Sequence, residues 1–265
     1  MCGIAGFINL KGVQNLELSS ALEDAAQALN RRGPDFQSTY HPNPTLGFAH
    51  ARLSIIDTSG SANQPMSACD NRYTIVFNGE IYNYQELKER LEKEKQEVFH
   101  TVSDTEVILS MFHHYGKSCV HSFNGFFAFA IYDKEKNETF IARDRLGIKP
   151  LLYTQTKDSF LFASEMKALL KFGIQKDLDF VSLQQYFQFN YIPNPATIFK
   201  GVFKLKPGHS LTIDAIGGVK EDRYYSIPFT KKYANLSYEK SQSELVQHLD
   251  KAVQRRLVSD VPLGS

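Results

Sequence analysis

The sequence predicts an α+β protein built in layers, on two observations. Strand-like apolar runs are frequent, and the helical stretches fall in groups between them. A doubly wound parallel sheet would instead alternate strand and helix strictly. At 265 residues and 42% hydrophobic content, the chain fills one large core and part of a second domain.

The elements follow in order. Ile4, Ala5, Phe7 and Ile8 read as a buried strand. Residues 19–30 have a helical period, with Leu22, Ala25, Ala26 and Leu29 on one face and Gly33-Pro34 as the stop. Two strand-like runs follow, Leu46–Asp57 and Tyr73–Phe77. Asn83–Glu86 has the pattern of a capping box opening a helix with Leu87 and Leu91 on one face. Ser103–Glu106 is a second such box, ahead of Val107, Ile108, Met111 and Phe112. Phe126–Asp133 and Thr139–Arg143 form a hairpin by pattern, joined by polar residues 134–138. Phe160–Ala163 is a further strand, with a short helix around Glu165–Leu170. From about Ser210 the texture changes, and residues 213–237, with a Gly-Gly and few periodic apolar positions, read as a linker. Ser241–Glu244 then opens a helix whose Leu245, Leu249, Val253 and Leu257 recur every four residues.

Bulk composition narrows the function classes. Thirty basic against 29 acidic residues give a net charge of +1, without a basic stripe, so neither nucleic acid nor a strongly charged partner is indicated. A small or zwitterionic substrate fits better. Cys2, Cys69 and Cys119 have no metal-ligand spacing and cannot close a disulfide framework, which points to a reduced, cytoplasmic setting. The N-terminus lacks the basic segment of a signal peptide, and no apolar run approaches the ~18 residues of a membrane span.

Four features carry chemistry. Removal of Met1 would leave Cys2 with a free α-amine of pKa ~7.7–8.0, a base positioned to take the proton of its own thiol. The competing reading is a small hydrophobe at a strand start. An attacked carbonyl develops an oxyanion, and Asn78-Gly79 offers a side-chain amide and a glycine N–H. The same dipeptide is also a strong hairpin-turn signal. Arg52, a charge inside an apolar run, calls for a partner such as a carboxylate. Asp104, at a helix start, either serves the helix dipole or holds an ammonium group. Arginine for a carboxylate and an acid for an amine together describe recognition of a free amino acid. The remaining candidates read as structural: His50 as a packed strand histidine, Cys69 and Cys119 as inert, and Arg143-Asp144-Arg145 as a buried ion-pair turn.

The ordered blocks Met-Cys-Gly-Ile-Ala-Gly-Phe7, Arg32-Gly-Pro-Asp35, His50-x-Arg-Leu-Ser-Ile-Ile-Asp57, Phe77-Asn-Gly-Glu-Ile-Tyr-Asn83, Ser103-Asp-Thr-Glu106, Arg143–Pro150 and Phe162–Ala168 resemble class II, N-terminal-nucleophile glutamine amidotransferases. More narrowly they resemble the glutamine-hydrolysing asparagine synthetases. Tyr191–Gly201, Leu205–His209 and Arg256–Gly264 favour that branch. One departure is Arg31, where the family has histidine before the Arg-Gly-Pro-Asp block.

The resemblance implies a four-layer αββα sandwich, with Cys2 as nucleophile and Asn78 and Gly79 as the oxyanion hole. It implies that L-glutamine is bound by Arg52 through its carboxylate, by Asp104 and Glu80 near its amine, and by Leu53, Ser54, Ile55 and Ile56 along its length. It further implies a glutaminase domain over residues 2–212, a linker over 213–237, and over 238–265 the first helix of an α/β ATP-pyrophosphatase domain, interrupted before its ATP loop. No metal or cofactor is then expected within these residues. ATP and Mg²⁺ belong to the synthetase domain, the expected partner in cis. An acceptor other than aspartate (a sugar or peptide), a catalytically silent regulatory module and a homodimer all remain open from the sequence.

Overall fold

A computed structural model describes residues 2–10, 16–214, 216–228 and 236–262. In chain order these form β1 (Gly3–Asn9), α1 (Leu16–Ala28), β2 (Phe36–Asn43), β3 (Leu46–Arg52), β4 (Met66–Ala68), β5 (Tyr73–Ile81), α2 (Tyr84–Lys95), α3 (Asp104–Tyr115), β6 (Gly125–Asp133) and β7 (Glu138–Arg143). There follow β8 (Leu152–Gln155), β9 (Ser159–Ala163), α4 (Met166–Leu169), α5 (Phe180–Phe189), β10 (Val202–Lys204), β11 (His209–Ile213), β12 (Val219–Arg223) and α6 (Tyr238–Gln254).

The strands make two six-stranded sheets, ordered β10-β8-β9-β1-β3-β2 and β12-β11-β7-β6-β5-β4, antiparallel throughout. Strand alternation explains why they stack, because each sheet buries both faces. Ile4, Leu46, Phe48, Val76, Ala128, Ala130, Phe160 and Phe162 fill the layer between the sheets. Ala5, Phe7, Ala49 and Ala51 turn the other way, onto Leu22, Ala25, Leu29 and Leu169 of α1 and α4. Ile75, Phe77, Phe129 and Ile131 do the same toward Leu87, Leu91, Val107 and Ile108 of α2 and α3. The result is the expected four-layer αββα sandwich. Among the described residues no helix is long and apolar enough to cross a membrane.

Several local expectations need correction. Asn78-Gly79 is not a turn: β5 runs through it, with Asn78 opposite Ala128 and Gly79 opposite Phe127. A Cβ at Gly79 would lie 2.2 Å from Phe126 O and 2.7 Å from Phe127 Cα, so the glycine is needed for strand approach. The Asn83 box does not form. Asn83 makes no side-chain cap; its amide donates to Ser122 O (3.0 Å) and accepts from Asn124 N–H (2.9 Å), tying α2 to the start of β6. Ser103 does cap α3, accepting from Glu106 N–H. The Glu106 carboxylate reaches back to His100 N–H and Thr101 N–H instead of Ser103.

Arg143-Asp144-Arg145 is held by backbone bonds, not by an ion pair. Arg143 donates to the carbonyls of Lys149, Leu205 and Gly147, and Asp144 accepts from the N–H groups of Leu146, Ile148 and Lys149. The expected linker contains β12, whose pairing with β11 from Ile213↔Val219 to His209↔Arg223 extends the second sheet. Its Gly-Gly lies in the connecting turn, where Gly217 has φ 84°. The helix α6 starts earlier than its expected box, with Ser237 as the cap accepting from Lys240 N–H.

Candidate active site

One pocket collects most of the residues marked by the sequence. Cys2, Arg52, Leu53, Ile55, Ile56, Asn78, Gly79, Glu80 and Asp104 line it, joined by Ala62, Gln64, Phe77, Ser103, Thr105 and Lys149. Ser54 lies in the same loop but outside the lining, and its N–H donates to Asp35 Oδ2 at 2.8 Å. The pocket forms where β1 begins, β3 ends and β5 outruns its neighbour β4. The β4 register stops at Ile75, leaving the outer edge of β5 open beyond it.

That edge is the structural basis of the site. In an antiparallel ladder, alternate residues direct both backbone groups toward the same neighbour. Phe127 O accepts from Asp144 N–H at 2.8 Å, so Phe127 faces β7 and its partner Gly79 is free of β6. The residues two either side confirm the direction. Phe77 N–H donates to Gln64 Oε1 at 2.6 Å and Ile81 N–H to Asp104 Oδ2 at 3.0 Å, both away from β6. Gly79 N–H therefore points from the open edge between two satisfied donors.

Asn78, one residue earlier, faces the layer between the sheets. Its side chain is fully buried, and neither Nδ2 nor Oδ1 has a hydrogen-bond partner. A buried carboxamide with both ends unpaired carries the full desolvation cost, of order 1–3 kcal/mol. Such a group is stable when a bound ligand supplies its partner.

Cys2 is partly buried, and its Sγ lies 3.5 Å from Leu53 O and accepts from Leu53 N–H at 3.4 Å. Burial pushes the thiol above its ordinary value, opposed by that N–H bond. At rest the sulfur is thus a neutral thiol that needs a base to attack. Arg32 fixes the main chain here, donating through Nε to Cys2 O at 2.8 Å and through Nη1 to Glu165 Oε1 at 3.0 Å.

Arg52 ends β3 with its side chain buried. Its guanidinium donates to Ser59 O (2.7 Å), Asn63 Oδ1 (2.6 Å) and Asp57 O. All three acceptors are uncharged, so these bonds orient the fork without neutralising it, and among the described residues no carboxylate pairs with it. Asp104 is buried at the first position of α3, and burial pushes its carboxyl up to about 7. Glu80 adds to the rise, while Ile81 N–H opposes it. One pocket thus holds both the fixed charge of Arg52 and the buried carboxyl of Asp104.

His50 is fully buried, with Nε2 3.1 Å from Phe77 O. Burial holds it down to about 3, so the ring is neutral, Nε2–H donates and Nδ1 is left an unpaired acceptor. This is the packed strand histidine expected. Cys119 is fully buried with its thiol pushed upward by burial. Cys69 is likewise raised by burial.

Sequence reasoning missed Gln64 and Lys149 and assigned Arg32 no role. Gln64 bridges Phe77 N–H and, through Nε2, Thr105 Oγ1 at 3.2 Å. The signal for Arg32 was its place in the Arg-Gly-Pro-Asp block; nothing local marked Gln64 beyond the following proline.

Comparison with known proteins shows the family and the fold. A family model described as "Glutamine amidotransferase domain" matches residues 1–225. The chain is 38% identical over 266 residues to asparagine synthetase [glutamine-hydrolyzing] 1 of Bacillus subtilis, covering 100% of this chain and 41% of that protein. It is 34% identical to amidase chry2 of Gibberella zeae, covering 100% of this chain and 40% of that one. The chain thus spans less than half the length of these curated relatives. Among solved structures, the glutamine phosphoribosylpyrophosphate amidotransferase of B. subtilis superposes with a TM-score of 0.63 at 19% identity, over 85% of this chain and 50% of that one. That likeness extends the fold assignment alone.

Proposed function

This chain belongs to the glutamine amidotransferase domain family, and on that premise we propose that it hydrolyses L-glutamine to glutamate and ammonia through a Cys2 thioester. The observation that carries the reading is the Asn78 carboxamide, buried without partners in the same pocket as Cys2.

The steps follow from the placement of the groups. After Met1 is removed, the α-amine of Cys2 takes the proton from Sγ, and the thiolate attacks the glutamine side-chain carbon. The carbonyl electron pair moves to oxygen, and Asn78 Nδ2–H and Gly79 N–H donate to that oxyanion. Collapse expels the amide nitrogen, which leaves as ammonia after receiving the proton held by the α-amine. Water, deprotonated by the same amine, then cleaves the γ-glutamyl thioester and returns the thiol. Arg52 takes the α-carboxylate and Asp104, with Glu80 nearby, the α-ammonium. Leu53, Ile55 and Ile56 line the path between them, with Ser54 in the same loop.

Ammonia released here would serve ATP-dependent amidation of aspartate by a synthetase domain in cis, in a cytoplasmic setting that keeps Cys2 reduced. The identity to the B. subtilis asparagine synthetase over 41% of its length supports that reading. ATP and Mg²⁺ enter with that domain, and residues 238–262 would be its approach. The comparable identity to a protein described as an amidase favours keeping another acceptor as the second reading.

The test is stoichiometric release of glutamate and ammonia from glutamine by chain shown to start at Cys2. Release that disappears in Cys2→Ala supports the assignment. No release above the uncatalysed blank from a mature N-terminus overturns it.

A further inference from the structure

The segment after α6 returns to the glutamine pocket from 203 positions away in sequence. Asp260 N–H donates to Ile55 O at 2.9 Å, and Asp57 N–H donates to Asp260 Oδ2 at 2.7 Å. Two further contacts seat the same segment. The Arg256 guanidinium lies 5.0 Å from the Tyr82 ring and 4.8 Å from the Phe126 ring, and Val258 packs on the core cluster that also receives Ile56.

Asp57 is the residue through which this matters. It is buried, with a left-handed φ of 50°, a conformation that aspartate tolerates better than most residues. Its carbonyl accepts from Arg52, which faces the carboxylate end of the substrate. Its Oδ1 accepts from Ser59 N–H and Oγ, and its Oδ2 accepts from Val102 N–H at 3.0 Å, two residues before Asp104. Asp57 therefore joins the two recognition poles, and only its N–H remains to be satisfied. A buried N–H without a partner would pull the loop out of this shape, and Asp260 supplies that partner.

We propose that Asp260 is a positioning residue for glutamine: through Asp57 it holds Arg52 and the approach to Asp104 at the spacing of an amino-acid backbone. This rests on the glutaminase reading above. The segment bearing Asp260 thereby couples the main chain after α6 to glutamine affinity without touching the substrate.

Two measurements on the 265-residue chain decide it. In Asp260→Ala the KM for glutamine rises about fivefold to tenfold while kcat stays within about twofold, the signature of lost binding geometry. Asp260→Asn, which keeps an acceptor for Asp57 N–H, stays close to wild type. Amide hydrogen exchange on the unliganded chain speeds up at Asp57 and Val102 in Asp260→Ala and is restored in Asp260→Asn. An unchanged KM with unchanged exchange overturns the role of Asp260, and so does a loss confined to kcat or equal impairment of both variants. Absence of glutamate release by wild type would instead overturn the glutaminase reading. Exchange at Asp57 and Val102 still decides the placement of Asp260 in that case.

Discussion

The Cys2 thiol meets both main-chain polar groups of Leu53, donating from Sγ to Leu53 O at 3.5 Å and accepting from Leu53 N–H at 3.4 Å. Leu53 directly follows β3, and β1 pairs with β3 from Gly3↔Ala51 onward. The strand pair that carries Arg52 thus also sets where the sulfur sits. A thiol held this way can be removed without disturbing the sheets, because its side chain makes no other hydrogen bond among the described residues.

Cys2→Ala is therefore expected to abolish glutamate release and leave the thermal melt unchanged. Continuous assay of glutamate beside a calorimetric scan checks both. Residual turnover would place the nucleophile elsewhere.

Asn78→Ala separates activity from stability. Loss of one oxyanion donor lowers kcat by about 10²–10³. The same change removes an unpaired buried carboxamide, so the melting temperature should hold or rise, unlike the usual outcome of a core truncation. A fall in kcat of less than about tenfold would reduce Asn78 to a strand residue.

Asp104 links affinity to pH. Its carboxyl sits at about 7 because burial, and then Glu80, disfavour the anion. Between the ordinary value of 3.8 and about 7, the folded state holds a proton that the unfolded chain has released. Stability therefore falls as pH rises across that window and levels off above it. Glutamine affinity should move oppositely, since its ammonium pairs with the ionised form. Calorimetric Kd on the Cys2→Ala chain, free of turnover and of the thiol, should tighten as pH rises through about 7. Asp104→Asn should lose this dependence, bind glutamine weakly, and melt above wild type at about pH 8.

Arg52→Ala should raise the KM for glutamine by about tenfold or more, the size of one charge-assisted pair of ~1.5–3 kcal/mol. It should also lower the melting temperature, because its bonds to Asp57, Ser59 and Asn63 shape the loop. Arg52→Lys keeps the charge but not the planar fork and should fall between. Comparison of glutamine with asparagine as substrates of wild type checks that the two poles measure length. Equal hydrolysis would contradict it.

The layered fold was legible in the sequence because burial selects apolar runs in strands and a period in helices, and most of the pocket because its residues fall in the ordered motifs of the resemblance. Continuous apolar runs over Ile4–Ile8, Tyr73–Phe77 and Phe126–Asp133 marked strands buried on both faces, each face serving a different layer. Short or polar elements were not legible. The strands β2 and β12 lie at sheet edges and carry His41 and Pro42, or Lys220–Arg223, with little apolar alternation. Asn78-Gly79 shows the limit of local signals. Its composition matches a turn, yet its conformation is set by β6, whose Phe126 O leaves no room for a side chain at Gly79. The contact of Asp260 with Asp57 was beyond reach for the same reason, since no periodicity links two loop residues so far apart. Arg52 stood out as a charge inside an apolar run, whereas Cys2 and Asp104 were ambiguous at their positions and were singled out by the order of the family motifs.

The central claim is that Cys2, freed at the N-terminus, is the acyl-accepting nucleophile. Peptide mass spectrometry after acid quenching of the chain with glutamine, or after reaction with a diazoketone analogue of glutamine, tests it most directly. The predicted result is an N-terminal peptide beginning at Cys2 and carrying one glutamyl or analogue group on its sulfur. A retained Met1 in active protein, or a label on Cys69, Cys119 or any other residue, would contradict it.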